Sequence, residues 1–135
     1  MQNAIHQPRS ILVLGGASDI GRAIVQALDS PTLRRVILAC RNPAGVDTSG
    51  LSDHAEVVAV EFDATDHAAH EGFIESLAKT YGDLDIVVQA FGQLGADDGD
   101  DPVKAAHLAE VNYVGAVSSG LAVARQLETQ GHGTL

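Results

Sequence analysis

The 135-residue chain has a single cysteine, Cys40, which rules out both a disulfide framework and a metal site built from several thiolates. Such usage fits a reducing interior. Positive charge is sparse: eight Lys and Arg stand against eighteen Asp and Glu, a formal net charge of -10. A nucleic-acid surface needs clustered cations, and these eight are scattered, so that class of partner is set aside. The acidity acts chiefly on solubility. No apolar run approaches the ~20 residues that span a bilayer, and residues 1–10 hold no apolar signal segment. The expectation is a cytoplasmic chain. With 45% hydrophobic and 19% charged residues, residues 1–135 are sized for one domain with a real core.

What is present begins with Ile-Leu-Val-Leu-Gly-Gly-Ala-Ser-Asp-Ile-Gly-Arg-Ala, residues 11 to 23. Ile11 to Gly15 reads as a strand covered on both faces. Gly15 and Gly16 allow a tight turn, and Ile20, Ala23, Ile24, Ala27 and Leu28 recur at helical spacing, so the helix runs from Asp19 to Leu28. Free N–H groups at its start make an anion site, best matched by a dinucleotide pyrophosphate. Glycines alone equally describe an ordinary strand-to-helix connection.

The unit then repeats. Arg35 to Ala39 gives a second strand, and the Gly/Pro/Ser/Asp-rich stretch from Arg41 to Asp53 leaves room for a short helix or none. Glu56 to Phe62 gives a third strand, Asp66 to Tyr81 a helix, and Leu84 to Ala90 a fourth strand. An acidic loop from Asp97 to Asp101 leads to Pro102 and a long helix reaching about Gln130, after which Gly133 to Leu135 opens a fifth strand. The alternation predicts a parallel α/β sheet with right-handed crossovers and helices on both faces; read as a doubly wound sheet of Rossmann type, its strand order is 3-2-1-4 with the fifth begun. Ligands of such sheets collect outside the carboxyl ends of the strands.

Those ends carry Gly15-Gly16-Ala17-Ser18-Asp19-Ile20-Gly21, Cys40-Arg41-Asn42, Phe62-Asp63-Ala64 and Gln89-Ala90-Phe91-Gly92, with Asn112 in the following helix. In this order they resemble the short-chain dehydrogenase/reductase family. Within it, residues 12–20, 36–40, 90–95 and 110–113 look most like the decaprenylphosphoryl-2-keto-β-D-erythro-pentose reductases. The resemblance implies that Gly15, Ser18, Ile20 and Gly21 hold a pyrophosphate, that Asp63 and Ala64 border an adenine, and that Ala90 and Gly92 lie beside the ribose and nicotinamide. It also implies that Asn112 holds a water of a proton relay, against a purely structural amide as the other reading. For Asp63 the other reading is a cap on the next helix.

Two departures stand out. Asp19 occupies the family's middle glycine position, where a carboxylate suits the helix dipole but repels a phosphate; Arg22 or a turned Asp19 side chain would offset it. Gln89-Ala90-Phe91-Gly92 replaces the usual Asn-Asn-Ala-Gly, so Phe91 either narrows the nicotinamide end or simply packs. Cys40-Arg41 replaces an acid and favours NADPH, whereas the subfamily resemblance implies NADH. Arg41 reads equally well as a solvated cation.

The family's Ser after strand five and its Tyr-x-x-x-Lys are not found here: Tyr81 is followed at that spacing by Asp85, and Tyr113 by Val117. The expectation is therefore the cofactor-binding half of a reductase, without turnover by itself. Its resemblance implies a polyprenyl-phosphate keto sugar as substrate, a flavin oxidase as partner, membrane association through that lipid, and a homo-oligomer at full length. A non-catalytic dinucleotide-binding module, or a reductase of another ketone, are the competing readings. No metal site is expected: His67 and His70 read as solvated, and the Asp97 to Asp101 loop lacks EF-hand spacing. Ser118 and Ser119 have no base that the sequence identifies.

Overall fold

The computed structural model describes residues 7–95 and 101–135. Its elements are β1 (Ser10–Leu14), α1 (Asp19–Leu28), β2 (Arg35–Cys40), β3 (Glu56–Glu61), α2 (His70–Tyr81), β4 (Ile86–Gln89), α3 (Pro102–Ala109) and α4 (Gly115–Gln130). The four strands form one parallel sheet in the order β3-β2-β1-β4. This is the expected doubly wound arrangement. The fifth strand begins too: Thr134 bridges Ile86 in parallel, accepts from the Val87 N–H at 2.8 Å and donates to the Asp85 carbonyl at 3.0 Å.

The apolar runs explain the layers. Every residue of β1 is buried, and successive side chains alternate between faces. Leu12, Leu14, Ile37 and Ala39 pack with Ile74, Leu77, Ala122 and Val123 of α2 and α4. On the opposite face Ile11, Val13, Val36 and Leu38 pack with Val25 of α1, Leu33 and Leu51. A one-residue register slip would exchange both sets, so this pattern pins the sheet.

Helix α1 spans the expected residues because Ser18 caps it, its hydroxyl accepting from the Gly21 N–H at 3.3 Å. The second helix departs from expectation. It starts at His70 rather than Asp66, because residues 63–69 close tight turns: the Asp66 N–H bonds the Asp63 carbonyl and the Ala69 N–H the Asp66 carbonyl. The long helix after Pro102 is interrupted by one π turn, Glu110–Val114, between α3 and α4. Directly after that turn, a Cβ on Gly115 would lie 2.6 Å from the Ala64 carbonyl oxygen, so only glycine lets α4 approach the β3 exit this closely. The loop between β2 and β3 holds a single 3-10 turn, Pro43–Gly45. Residues 97–100 of the acidic loop lie outside the described residues. Asp101 caps α3, accepting from the Val103 and Lys104 N–H groups.

Candidate functional site

A cavity of about 720 Å³ opens at the carboxyl ends of all four strands. Gly15, Ala17 and Ser18 line it after β1, Ala39 to Asn42 at the end of β2, Phe62 to Thr65 after β3, and Ala90 to Gln93 after β4. His107 and Val111 close it from the far helix. Its volume is that of a typical small-molecule or cofactor site.

The Gly15 turn is built by β2. The N–H groups of Gly15 and Gly16 both donate to the Ala39 carbonyl, at 2.8 and 2.9 Å. The Gly21 N–H is taken by Ser18, so the unclaimed donors at this helix start are the first helical N–H groups, those of Asp19 and Ile20. Neither residue lines the cavity, nor does Gly21, whereas Gly15 and Ser18 do. The Ile20 side chain is exposed. Arg22 does not face Asp19. Its guanidinium binds the Asp47 and Ser49 carbonyls and pairs with the Asp47 carboxylate at 3.6 Å, tying α1 to the loop after β2. Gln26 reinforces that tie through the Gly50 carbonyl. The loop carrying Arg41 and Asn42 is thereby held from behind.

Asp63 and Ala64 form the rim after β3. The Thr65 N–H and hydroxyl both bind the Asp63 carboxylate, at 2.9 and 2.8 Å, and hold its pKa below the usual 3.8, with Arg41 and His70 assisting and slight desolvation opposing. This stabilisation is present above the unfolded pKa and is lost as pH falls through the lower folded value. Thr65→Val removes the hydroxyl, so the carboxyl titration of Asp63 followed by NMR should move up toward 3.8. An unmoved titration would mean that the hydroxyl bond contributes nothing.

Asn112 sits in the π turn, outside the cavity lining. Its Oδ1 accepts from the Gln93 N–H at 2.7 Å, and its Nδ2 donates to the Gln93 carbonyl at 2.8 Å. Both ends of the amide thus hold the segment that follows Gly92. Phe91 lines the cavity and also packs on Phe62, ring centroids 5.6 Å apart. Phe62 in turn contacts Phe73 and His70, each at 5.3 Å, so all three phenylalanines of the chain support one wall. Cys40 is buried at the end of β2.

Sequence reasoning missed His107 and Val111 as lining residues, because they reach the cavity from a helix beyond the acidic loop. It also misplaced the paired histidines: His70 is only 2% exposed, and the Nε2 of His67 is shielded from solvent. The base near Ser118, invisible in sequence, is His70 itself, with Ser118 Oγ 2.9 Å from Nδ1.

The sequence model described as short chain dehydrogenase matches residues 9–135. The chain belongs to the short-chain dehydrogenase family. Among curated relatives, this family member is 41% identical over 139 residues to an uncharacterized oxidoreductase of Streptomyces coelicolor, covering 99% of the chain and 55% of the relative. It is 33% identical over 132 residues to an uncharacterized oxidoreductase of Mycobacterium tuberculosis, covering 93% and 52%. The chain spans about half the length of the curated relatives it matches. Among solved structures, NAD+-bound xylitol dehydrogenase superposes with a TM-score of 0.75 at 25% identity, over 93% of this chain and 50% of that one. A gluconate 5-dehydrogenase of Burkholderia cenocepacia in complex with NADP and tartrate gives 0.74 at 24% identity, over 94% and 51%. Among the described residues no helix is long and apolar enough to cross a membrane.

Proposed function

We propose that this chain is a single-domain, nicotinamide-dinucleotide-binding half of an NAD(P)H-dependent short-chain reductase. The observation that carries the reading is one cavity whose walls come from the carboxyl ends of all four strands, beside a Ser-capped helix start with unclaimed N–H groups. The family membership and the dinucleotides named with two structural neighbours support it. Gly15, Ser18 and the N–H groups of Asp19 and Ile20 receive the pyrophosphate, with Gly21 allowing α1 to pack. Asp63 and Ala64 border the adenine, while Ala90 and Gly92 flank the nicotinamide end. Arg41, with no acid beside it at the end of β2, admits the 2′-phosphate of NADPH. The dinucleotide supplies the hydride; the protein's share is binding, orientation and proton placement.

The full-length protein, in this proposal, reduces a decaprenylphosphoryl-2-keto-pentose to its arabinose form in cell-wall arabinan synthesis, in the cytoplasm and near the membrane that carries the lipid. It does so after a partner flavin oxidase and as a homo-oligomer. The support is the resemblance at residues 12–20, 36–40, 90–95 and 110–113. Asn112 is assigned to the proton relay by that same resemblance, beside the structural hold it keeps on Gln93.

Titration with NADPH and NADH, followed by ligand fluorescence and melting temperature, tests the binding claim. Saturable binding of both with a raised Tm is expected. A folded chain that binds neither sinks it. Reduction of the lipid-linked keto sugar by the full-length protein, compared with simple soluble ketones, tests the substrate.

A further inference from the structure

His70 is the most buried titratable side chain that the proposed reaction leaves without a task beside the cavity. It opens α2, yet both ring nitrogens are bonded outside its own helix. The Asp63 carbonyl lies 3.0 Å from Nε2, and a carbonyl can only accept, so Nε2 carries the proton. In that tautomer Nδ1 accepts from the Ser118 hydroxyl of α4 at 2.9 Å. The ring also stacks on Phe62, which lines the cavity. One side chain therefore joins the β3 exit, the start of α2 and the first turn of α4. It does so beside the place where Gly115 lets α4 touch Ala64.

The Ser118–His70 spacing also suits a nucleophile and its base. Neither residue lines the cavity, however, and the ring is almost wholly covered, so the pair does not face the space where a substrate would sit. The bonds act on the chain instead.

We propose that His70 is a positioning residue for the nucleotide rim, holding the Asp63–Thr65 turn against α4 so that Asp63 and Ala64 face the cavity. This rests on the nucleotide-binding reading above. The Asp63 carbonyl accepts from both the Asp66 N–H and the imidazole, which ties the turn at the residue whose carboxylate is fixed by Thr65. Loss of the imidazole takes one of two donors from the Asp63 carbonyl and the base-side partner from the Ser118 hydroxyl, and the rim can relax outward.

The test compares His70→Phe, which keeps a ring on Phe62 but loses both bonds, with His70→Gln, which keeps a donor for the Asp63 carbonyl. Ser118→Ala removes only the tie to α4 and keeps the test readable should the phenylalanine variant fold poorly. Two readouts are used: the NADPH dissociation constant, and hydrogen exchange across residues 62–70 without nucleotide. His70→Phe should weaken NADPH binding roughly tenfold and speed exchange in that segment while β1 and β2 stay protected; His70→Gln should recover most of both. Ser118→Ala should fall between. Equal losses in the Phe and Gln variants, uniform acceleration through the whole chain, or unchanged rim exchange would each overturn the assignment. If the unaltered protein binds no dinucleotide, the nucleotide reading falls, and the exchange comparison still decides whether His70 holds the rim.

Discussion

Gly15→Ala should abolish dinucleotide binding and lower Tm by on the order of 10 °C. Two separable terms produce this. The backbone at Gly15 has φ +99°, a region that strains an L side chain by about 1–2 kcal/mol. An added Cβ would also overlap the Phe91 nitrogen and lie 2.6 Å from the Ala90 carbonyl carbon, both backbone atoms that no rotamer change can move. Pushing the β4 exit aside adds roughly 1–3 kcal/mol, against a total stability of about 5–15 kcal/mol. Gly50→Ala is the control, since Gly50 has φ +65° but open space around it. That variant should show the conformational cost alone and bind normally. Equal melting losses in the two proteins would show that the approach of Gly15 to β4 is unimportant.

Arg41→Ala should weaken NADPH binding roughly 10–100-fold, the cost of losing a charge-assisted phosphate bond, while leaving NADH within a few-fold. The reason is local. Cys40, buried at the end of β2, stands where an acid would bind the ribose diol, and the cavity's Asp63 carboxylate, which senses Arg41, is already bound by Thr65. The loop that presents Arg41 is anchored by Arg22 and Gln26, which keeps its backbone in place when the guanidinium is removed. Raising the salt concentration should erode whatever NADPH affinity Arg41 adds in the unaltered protein and leave the variant nearly unaffected. If both dinucleotides weaken equally in Arg41→Ala, the residue serves the loop and not the phosphate.

The parts of this fold that sequence reveals are those fixed by local chemistry. Ile11 to Leu14 and Val36 to Ala39 are continuous apolar runs, so their burial on both faces follows directly. The start of α1 is legible because the glycine turn hands over directly to apolar residues at helical spacing from Ile20 on. Two features depend on distant partners instead. His70 is polar and looks solvated until Ser118, forty-eight residues away, supplies its second bond. Arg22 looks available to the pyrophosphate until Asp47 and Ser49 fold over α1. The late start of α2 reflects the turn that Asp63, Thr65 and Asp66 make together, which helical periodicity does not encode. The π turn around Asn112 has no compositional mark, since Val, Asn and Tyr also populate ordinary helices. At the site, the strand ends announce themselves, while His107 and Val111 depend on how the far helix returns over them.

The strand order has a consequence for the order of assembly. β1 lies between β2 and β4, and its pairing of Leu14 with Gln89 spans most of the described chain. Contacts of such long separation form late, because the entropy of closing the intervening loop is lost before they can offset it. During synthesis the first three strands can associate as soon as they emerge, but the Gly15 turn stays open on one side until β4 docks and Ala90 and Phe91 close over it. Asn112 then fixes Gln93 from a helix made later still. Nascent chains halted before residue 90 should therefore be protease-sensitive and blind to dinucleotide, and the capacity to bind should arise abruptly once the π turn has left the ribosome.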